Sequence, residues 1–130
     1  MKAEKQVLTI RQMQNLIQLG VNTSQASMCW IKNTDGDELE NKYMLSVHNE
    51  WCYEMSCLSP VPTFTLQDVI NLLPTRINNR SLRINVTQKW VEYSDVINGC
   101  LTHNGFMEHG ETLLDASYKM LVSVTKNRLK

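Results

Sequence analysis

The sequence predicts an α+β fold, an antiparallel sheet of four or five strands with about three helices in the order α-β-β-α-β-β-(β)-α. Three observations carry this expectation. Threonine-led capping signatures stand at three places along the chain. Segments with strand character lie between them in pairs. Short turn-forming stretches, not crossovers long enough to hold a helix, join the members of each pair, which makes the pairing antiparallel.

The first helix starts at Thr9, whose hydroxyl is placed to accept from the backbone of Gln12 while the Gln12 side chain reaches back; Leu8 and Met13 form the accompanying hydrophobic staple. Ile10, Met13, Leu16 and Ile17 share one face at helical spacing, and Gly20 supplies the left-handed stop. A hairpin follows, Ser27 to Asn33 and Tyr43 to His48, around the polar run Thr34 to Lys42 with its Asp35-Gly36 turn signal. Pro60 and Pro62 hold the next approach extended. The second helix begins at Thr65, with Asp68 closing the box and Phe64 against Val69 as the staple, and Pro74 ends it.

A second hairpin is read in Leu82 to Thr87 and Trp90 to Val96. Leu82, Ile84 and Val86 point to one side and Arg83, Asn85 and Thr87 to the other, so one face is expected to be core and the other wet. Trp90 and Glu92 share one face while Val91 and Tyr93 share the other. The stretch Asn98 to Gly110 offers short strands at Cys100 to Thr102 or around Phe106, with no period that decides between them. The third helix is the longest. Thr112 and Asp115 open it, Leu113, Ser117, Met120, Leu121 and Val124 line one face, and Lys126, Arg128 and Lys130 suit a helix C-terminus. With no linker or low-complexity segment, 130 residues are expected to form a single domain, residues 1–8 being a flexible N-terminus.

Thirteen Lys and Arg balance thirteen Asp and Glu, and 42% of residues are apolar. Such a chain is neither disordered nor built as a general polyanion binder. Met1 to Leu8 lacks the apolar middle of a secretory signal and no apolar run approaches the roughly 20 residues of a membrane span, so a cytoplasmic protein with no membrane partner is expected. Cys29, Cys52, Cys57 and Cys100 are then reduced thiols, and the acceptor patterns at Asn22, Asn79 and Asn85 are not glycosylated.

Four stretches, Ala26 to Lys32 (ASMCWIK), Leu45 to Met55 (LSVHNEWCYEM), Pro60 to Pro74 (PVPTFTLQDVINLLP) and Leu113 to Leu121 (LLDASYKML), carry a resemblance. Over roughly half its length the chain resembles small uncharacterised proteins encoded in phage-like and mobile regions of gut anaerobe bacterial genomes. The resemblance implies a bacterial cytosol and a short accessory gene product. It assigns no activity, cofactor or site residue.

Chemistry is sparse. His48, Cys52, Cys57 and His103 carry soft donors suited to zinc, with Glu50 and His109 nearby in sequence. Cys52 and Cys57 stand at the edge of knuckle spacing and no second close pair follows, so the cysteines read better as small core hydrophobes. A cysteine nucleophile drawn from Cys52 or Cys57 with His48 or His103 and Asn104 has no surrounding signature. There is no G-x-S-x-G elbow and no phosphate loop. Asp35, Asp37, Glu38 and Glu40 lack the order of a calcium loop and suit a solvated hairpin tip. Arg76, Arg80, Arg83 and Lys89 gather around the second hairpin with Trp90 and Tyr93, which makes a nucleic-acid-binding module the alternative. Alternation, however, sends the two aromatics to opposite faces. Trp30 and Trp51 read as core or rim aromatics.

The reading is therefore a non-catalytic binding or accessory protein without catalytic residues, cofactor or metal, acting on an unknown protein partner or by self-association, for which an exposed edge strand of either hairpin is suited. Chain purified without a metal-binding tag is expected to carry no stoichiometric zinc by elemental analysis; one zinc per chain would overturn the reading of its cysteines.

Overall fold

The computed structural model describes residues 6–32, 43–47, 60–102 and 106–128. The chain divides into two compact units, residues 1–68 and 69–130, with the boundary inside a helix, Leu66–Leu72. The fold is α+β and every strand pairing is antiparallel. The strands fall into two sheets, one in each unit.

In the first unit the Thr9 box forms as expected. The Gln12 N–H donates to Thr9 Oγ1 at 3.1 Å and the Thr9 N–H to Gln12 Oε1 at 2.9 Å, opening α1 (Ile10–Gln18). Gly20, at φ 89°, closes it. Met13 and Leu16 are buried, whereas Ile17, expected on the same face, is 46% exposed. The apolar stripe is thus narrower than the sequence suggested, and Ile17 lies beyond its rim.

The sheet centres on β1 (Met28–Lys32), with β2 (Tyr43–Val47) on one side and β3 (Val61–Thr63) on the other. The first hairpin is therefore present, while its tip at 33–42 lies outside the described residues. The proline-flanked approach becomes β3, an edge strand where Pro62 is tolerated because the donor it lacks is not needed by a second neighbour.

The N-terminal expectation needs correction at residues 7 and 8. Val7 and Leu8 are buried, and Val7 bridges Thr65. The Leu8 N–H donates to the Phe64 carbonyl at 3.0 Å. Its own carbonyl accepts from Trp30 Nε1 at 3.0 Å and Thr63 Oγ1 at 2.7 Å. A fully buried backbone unit must find such partners, and here they come from β1 and β3.

The helix at the boundary, α2 (Leu66–Leu72), starts at the second box: the Asp68 N–H donates to Thr65 Oγ1 at 3.2 Å and the Thr65 N–H to Asp68 Oδ2 at 3.0 Å. The same carboxylate accepts from the Ser27 hydroxyl at 2.6 Å and the Ser27 N–H at 2.9 Å. Asp68 thereby fixes the start of α2 to the residue preceding β1. Burial acts to raise its pKa, but the hydrogen bonds from Ser27 and Thr65 prevail and hold it below the ordinary aspartate value.

The second unit is a meander with a helix across it. β4 (Arg76–Ile77), β5 (Arg80–Asn85) and β6 (Trp90–Ile97) are neighbours in order. β7 (Cys100–Thr102) and β8 (Met107–His109) both pair with the far edge of β6, with a two-residue shift of register between them. Both strands considered in the undecided stretch are thus present. Asn78-Asn79 (φ 50° and 67°) and Asn98-Gly99 (φ 53° and 78°) make the two-residue turns with both central residues left-handed, matching the twist of their hairpins.

Two expectations for this unit change. Val86 is 71% exposed, because β5 stops at Asn85 and Val86 opens the turn. Glu92 and Ser94, on the face expected to be wet, are as buried as Val91 and Tyr93. β6 has strands on both edges, and α3 (Leu113–Arg128) crosses the face holding Val91, where the Ser123 hydroxyl donates to Glu108 at 3.0 Å. Leu114, Ala116, Ser117, Met120, Leu121 and Val124 form the buried side of α3, and the Asp115 N–H donates to Thr112 Oγ1 at its start.

Two predictions follow from these contacts. Asp68→Ala is expected to cost about 2 to 3 kcal/mol in denaturant unfolding, since several donors lose a charged acceptor together. Because the folded pKa lies below the unfolded one, the unfolded chain binds more protons between the two values. The Asp68 contribution is therefore complete above the unfolded value and is lost as pH falls through the folded one. Asp68→Asn should flatten that part of the stability profile. Gly110 meets a different constraint, since a Cβ there would lie 2.6 Å from the Ala116 nitrogen and 2.9 Å from the Thr112 carbonyl oxygen. Gly110→Ala should thus lower stability by about 1 to 3 kcal/mol, as overpacking against backbone does; an unchanged unfolding midpoint would contradict the packing of α3's first turn.

Candidate functional site

The sequence-predicted residues fall into three groups. His48, Cys52, Cys57 and His103 lie outside the described residues, as do Trp51 and Asn104. Cys29 is buried in β1, as expected of a small core hydrophobe, but Cys100 is exposed, directly after the Asn98-Gly99 turn. Among the described residues no group of three His, Cys, Asp or Glu is placed to hold a metal ion.

Of the four basic residues of the second hairpin, Arg76 and Arg83 share a face, and Arg80 and Lys89 stand apart from them. Register places Arg76 opposite Ser81 and Arg83 opposite Glu92, on one face, and Ile77 opposite Arg80 on the other. Arg80 faces Asp95, with Nε 4.0 Å from Oδ2. Lys89 stands in the turn at the opposite end of β5, which is about 20 Å long at 3.3 Å per residue. Trp90 Nε1 donates to Gln88 within that turn, and Tyr93 is fully buried. A continuous basic stripe with stacking aromatics is not what this geometry builds.

What it does build is an interrupted sheet edge. β4 pairs with Arg80 and Ser81 alone, and the Leu82 N–H extends the ladder by one bond, to the Thr75 carbonyl at 2.9 Å. There the neighbouring chain turns away. Pro74 has no N–H, and its carbonyl accepts from the Tyr93 hydroxyl at 2.6 Å. The Leu73 N–H is turned back to the carbonyls of Val69 and Ile70 at 3.2 and 3.1 Å. In an antiparallel ladder alternate residues address the same side, so Ile84 presents its N–H and C=O in the direction Leu82 does. Among the described residues, that side of Ile84 has no strand partner. Beside it Arg83 holds a buried Nε with no hydrogen-bond partner, an orphan of the kind that calls for an explanation.

A second feature lies near β4. An open groove of about 540 Å³ is lined by Arg76, Ile77, Asn78, Phe106, Val124 and Asn127. Ile77, Phe106 and Val124 form its apolar floor. The Phe106 ring leans on that of Tyr93 at 5.3 Å between centroids, and Tyr93 in turn donates a backbone bond to the Phe106 carbonyl at 3.1 Å. Arg76, Asn78 and Asn127 are its polar lining residues among those described.

An edge strand of the second hairpin was named from sequence as a surface suited to a partner, but neither the place where that edge opens nor the groove was. The groove draws on three separated stretches, and only Asn78, in a turn-forming pair, carried a local signal. The interrupted edge had an indirect one, since Pro74 marks the end of α2 close ahead of β4. Compared with known proteins, the chain matches no family model, no curated protein and no solved structure. No helix among the described residues is long and apolar enough to cross a membrane.

Proposed function

We propose that the chain is a non-catalytic binding protein of the bacterial cytosol, an accessory product of phage-like or mobile-element type, that works by accepting an extended segment of a partner protein along the open part of β5. The observation that carries this reading is the early end of β4, which leaves the outward N–H and C=O of Ile84 without a strand partner among the described residues. Strand addition to such an edge draws its affinity from backbone hydrogen bonds and its specificity from alternate side chains.

The charge pattern supports an acidic segment. Residues 69–130 contain eight Lys and Arg against five Asp and Glu, so the neutrality of the whole chain conceals a basic second unit. A carboxylate on a strand beside β5, in register with Arg83, would meet the guanidinium whose Nε has no partner. Self-association is less well supported. Two β5 edges paired antiparallel about Ile84 bring the two Arg83 residues within diagonal reach, where like charges repel.

Selection of a random decapeptide library on the whole chain, followed by amide NMR, tests the reading. Expected winners alternate β-branched or aromatic residues with Asp or Glu, move the Ile84 amide, and lose at least about tenfold in affinity against Arg83→Glu, as loss of a charge-assisted bond implies. Winners that leave the Ile84 amide unmoved would sink it. So would salt-sensitive micromolar binding of DNA or RNA that disappears when Arg80 and Arg83 become Ala, the outcome that assigns this hairpin to nucleic acid.

A further inference from the structure

We infer that the face of the second unit's sheet opposite α3 binds a phosphate group, at a site formed by Arg76, Ser81, Arg83 and Ser94. It shares Arg83 with the β5 edge but uses none of that edge's backbone groups, so neither reading rests on the other.

Register sets these four side by side. Arg76 in β4 and Ser94 in β6 are the partners of Ser81 on its two sides, and Arg83 follows two residues along β5 on the same face. Arg83 is thus the diagonal neighbour of both Arg76 and Ser94, with Cβ atoms about 7 to 8 Å apart, within reach of side chains as long as arginine. The Leu82 N–H bonds to the Thr75 carbonyl, which makes Arg76 and Ser81 the next, non-hydrogen-bonded pair of the ladder. In such pairs the side chains stand closest.

What the four lack is a shared acceptor. Arg83 Nε and Ser94 Oγ are both buried without a hydrogen-bond partner, and Ser94 is only 1% exposed. No hydrogen bond or ion pair joins the side chain of Arg76 or Ser81 to another described residue. Each of the four carries a donor, and orphaned buried donors call for an explanation. Glu92 does not supply it. That residue lies directly opposite Arg83, but it is fully buried and has a partner of its own. Asp95 faces Arg80 on the other side of the sheet.

The charge and the directions of the donors select the ligand. Two guanidiniums and two hydroxyls come from β4, β5 and β6, on either side of Ser81 and along its own strand. A carboxylate brings one charge and two oxygens in a single plane. A phosphate brings about 1.5 to 2 negative charges at pH 7 and three acceptor oxygens that diverge from one atom. Exposure falls across the row, from exposed Arg76 through half-buried Ser81 to buried Ser94. The group therefore enters from the β4 side with its oxygens toward Ser94.

The test titrates the whole chain with inorganic phosphate at pH 7, with ionic strength held constant by sodium chloride, and follows arginine Nε–Hε signals and backbone amides by NMR. Saturable binding is expected, with shifts at Arg76, Ser81, Arg83 and Ser94. Arg76→Gln and Arg83→Gln should each weaken it at least about tenfold, the scale of one lost charge-assisted pair, and acetate should bind weaker than phosphate by at least the same factor. Arg80→Gln, on the other face, should leave binding unchanged. Ser94→Ala keeps the test open where an arginine variant fails to fold, and should weaken phosphate about threefold or more. Acetate binding as tightly as phosphate, shifts confined to other residues, or no saturation at tens of millimolar phosphate would overturn the inference. A hexapeptide with one central phosphoserine separates the two sources of the group. Binding tighter than that of inorganic phosphate supports the site as one for a phosphorylated protein segment, and weaker binding supports it as one for free phosphate.

Discussion

The early end of β4 sets how much of the β5 edge the second unit leaves open. A proline following a helix denies the next turn its donor and keeps the preceding residue out of the helical region. The end of α2 also limits a sheet ladder, because the Leu73 N–H stays with the helix. The chain leaves α2 at Leu72 and reaches β4 at Arg76, so only Thr75, Arg76 and Ile77 lie in register with β5. Continued in register, the residue opposite Ile84 would be Leu73, and its N–H is held in the last turn of α2. The Tyr93 hydroxyl holds the Pro74 carbonyl, and the same tyrosine supports Phe106 in the groove floor. One buried aromatic thus braces both the point where the edge opens and the floor of the groove.

The first unit is organised by a different economy, the placing of buried acceptors. The Leu8 carbonyl and the Asp68 carboxylate each collect donors from elements distant in sequence: Trp30 and Thr63 in one case, Ser27 and Thr65 in the other. Burying either group without those donors would cost more than the bonds return, so each works as a registry device. Leu8 joins the N-terminal segment to both β1 and β3. Asp68 joins the start of α2 to the approach to β1. The staple residues Leu8, Met13, Phe64 and Val69 are each fully buried.

How far the sequence could be read depended on the distance over which each signal acts. The helix starts were legible because a cap is a contact between residues three apart, and Thr9 with Gln12, Thr65 with Asp68 and Thr112 before Asp115 all form it. Asn98-Gly99 is a strong short hairpin signal, but the expectation for this stretch rested on periodicity, which says nothing over three-residue strands, so β7 stayed undecided. Val86 and Ile17 misled for a shared reason, since alternation and helical spacing continue on paper past the residue where an element or its buried stripe ends. Glu92 misled because burial of a central strand is set by what packs over it, which its own sequence does not encode. The groove was illegible: Arg76 to Asn78, Phe106 and Val124 to Asn127 meet only because β8 and α3 return across the meander.

Composition has the same limit as periodicity, because it averages over distance. A net charge of zero argues against a polyanion binder only if charges are mixed throughout, and here they are not. The first unit holds the acidic hairpin segment Asp35 to Glu40, and the second holds eight of the thirteen basic residues. Within the second unit the acids are engaged or remote: Asp95 faces Arg80, Glu108 accepts from Ser123, Glu92 is buried, and Glu111 and Asp115 stand at the far end of α3 from the groove. Arg76 and Arg83 share one face of the meander, Arg80 lies on the other, and Lys89 stands in a turn. A net charge of zero therefore hides an excess of bases in one unit and of acids in the other, and the division of the chain is what separates them.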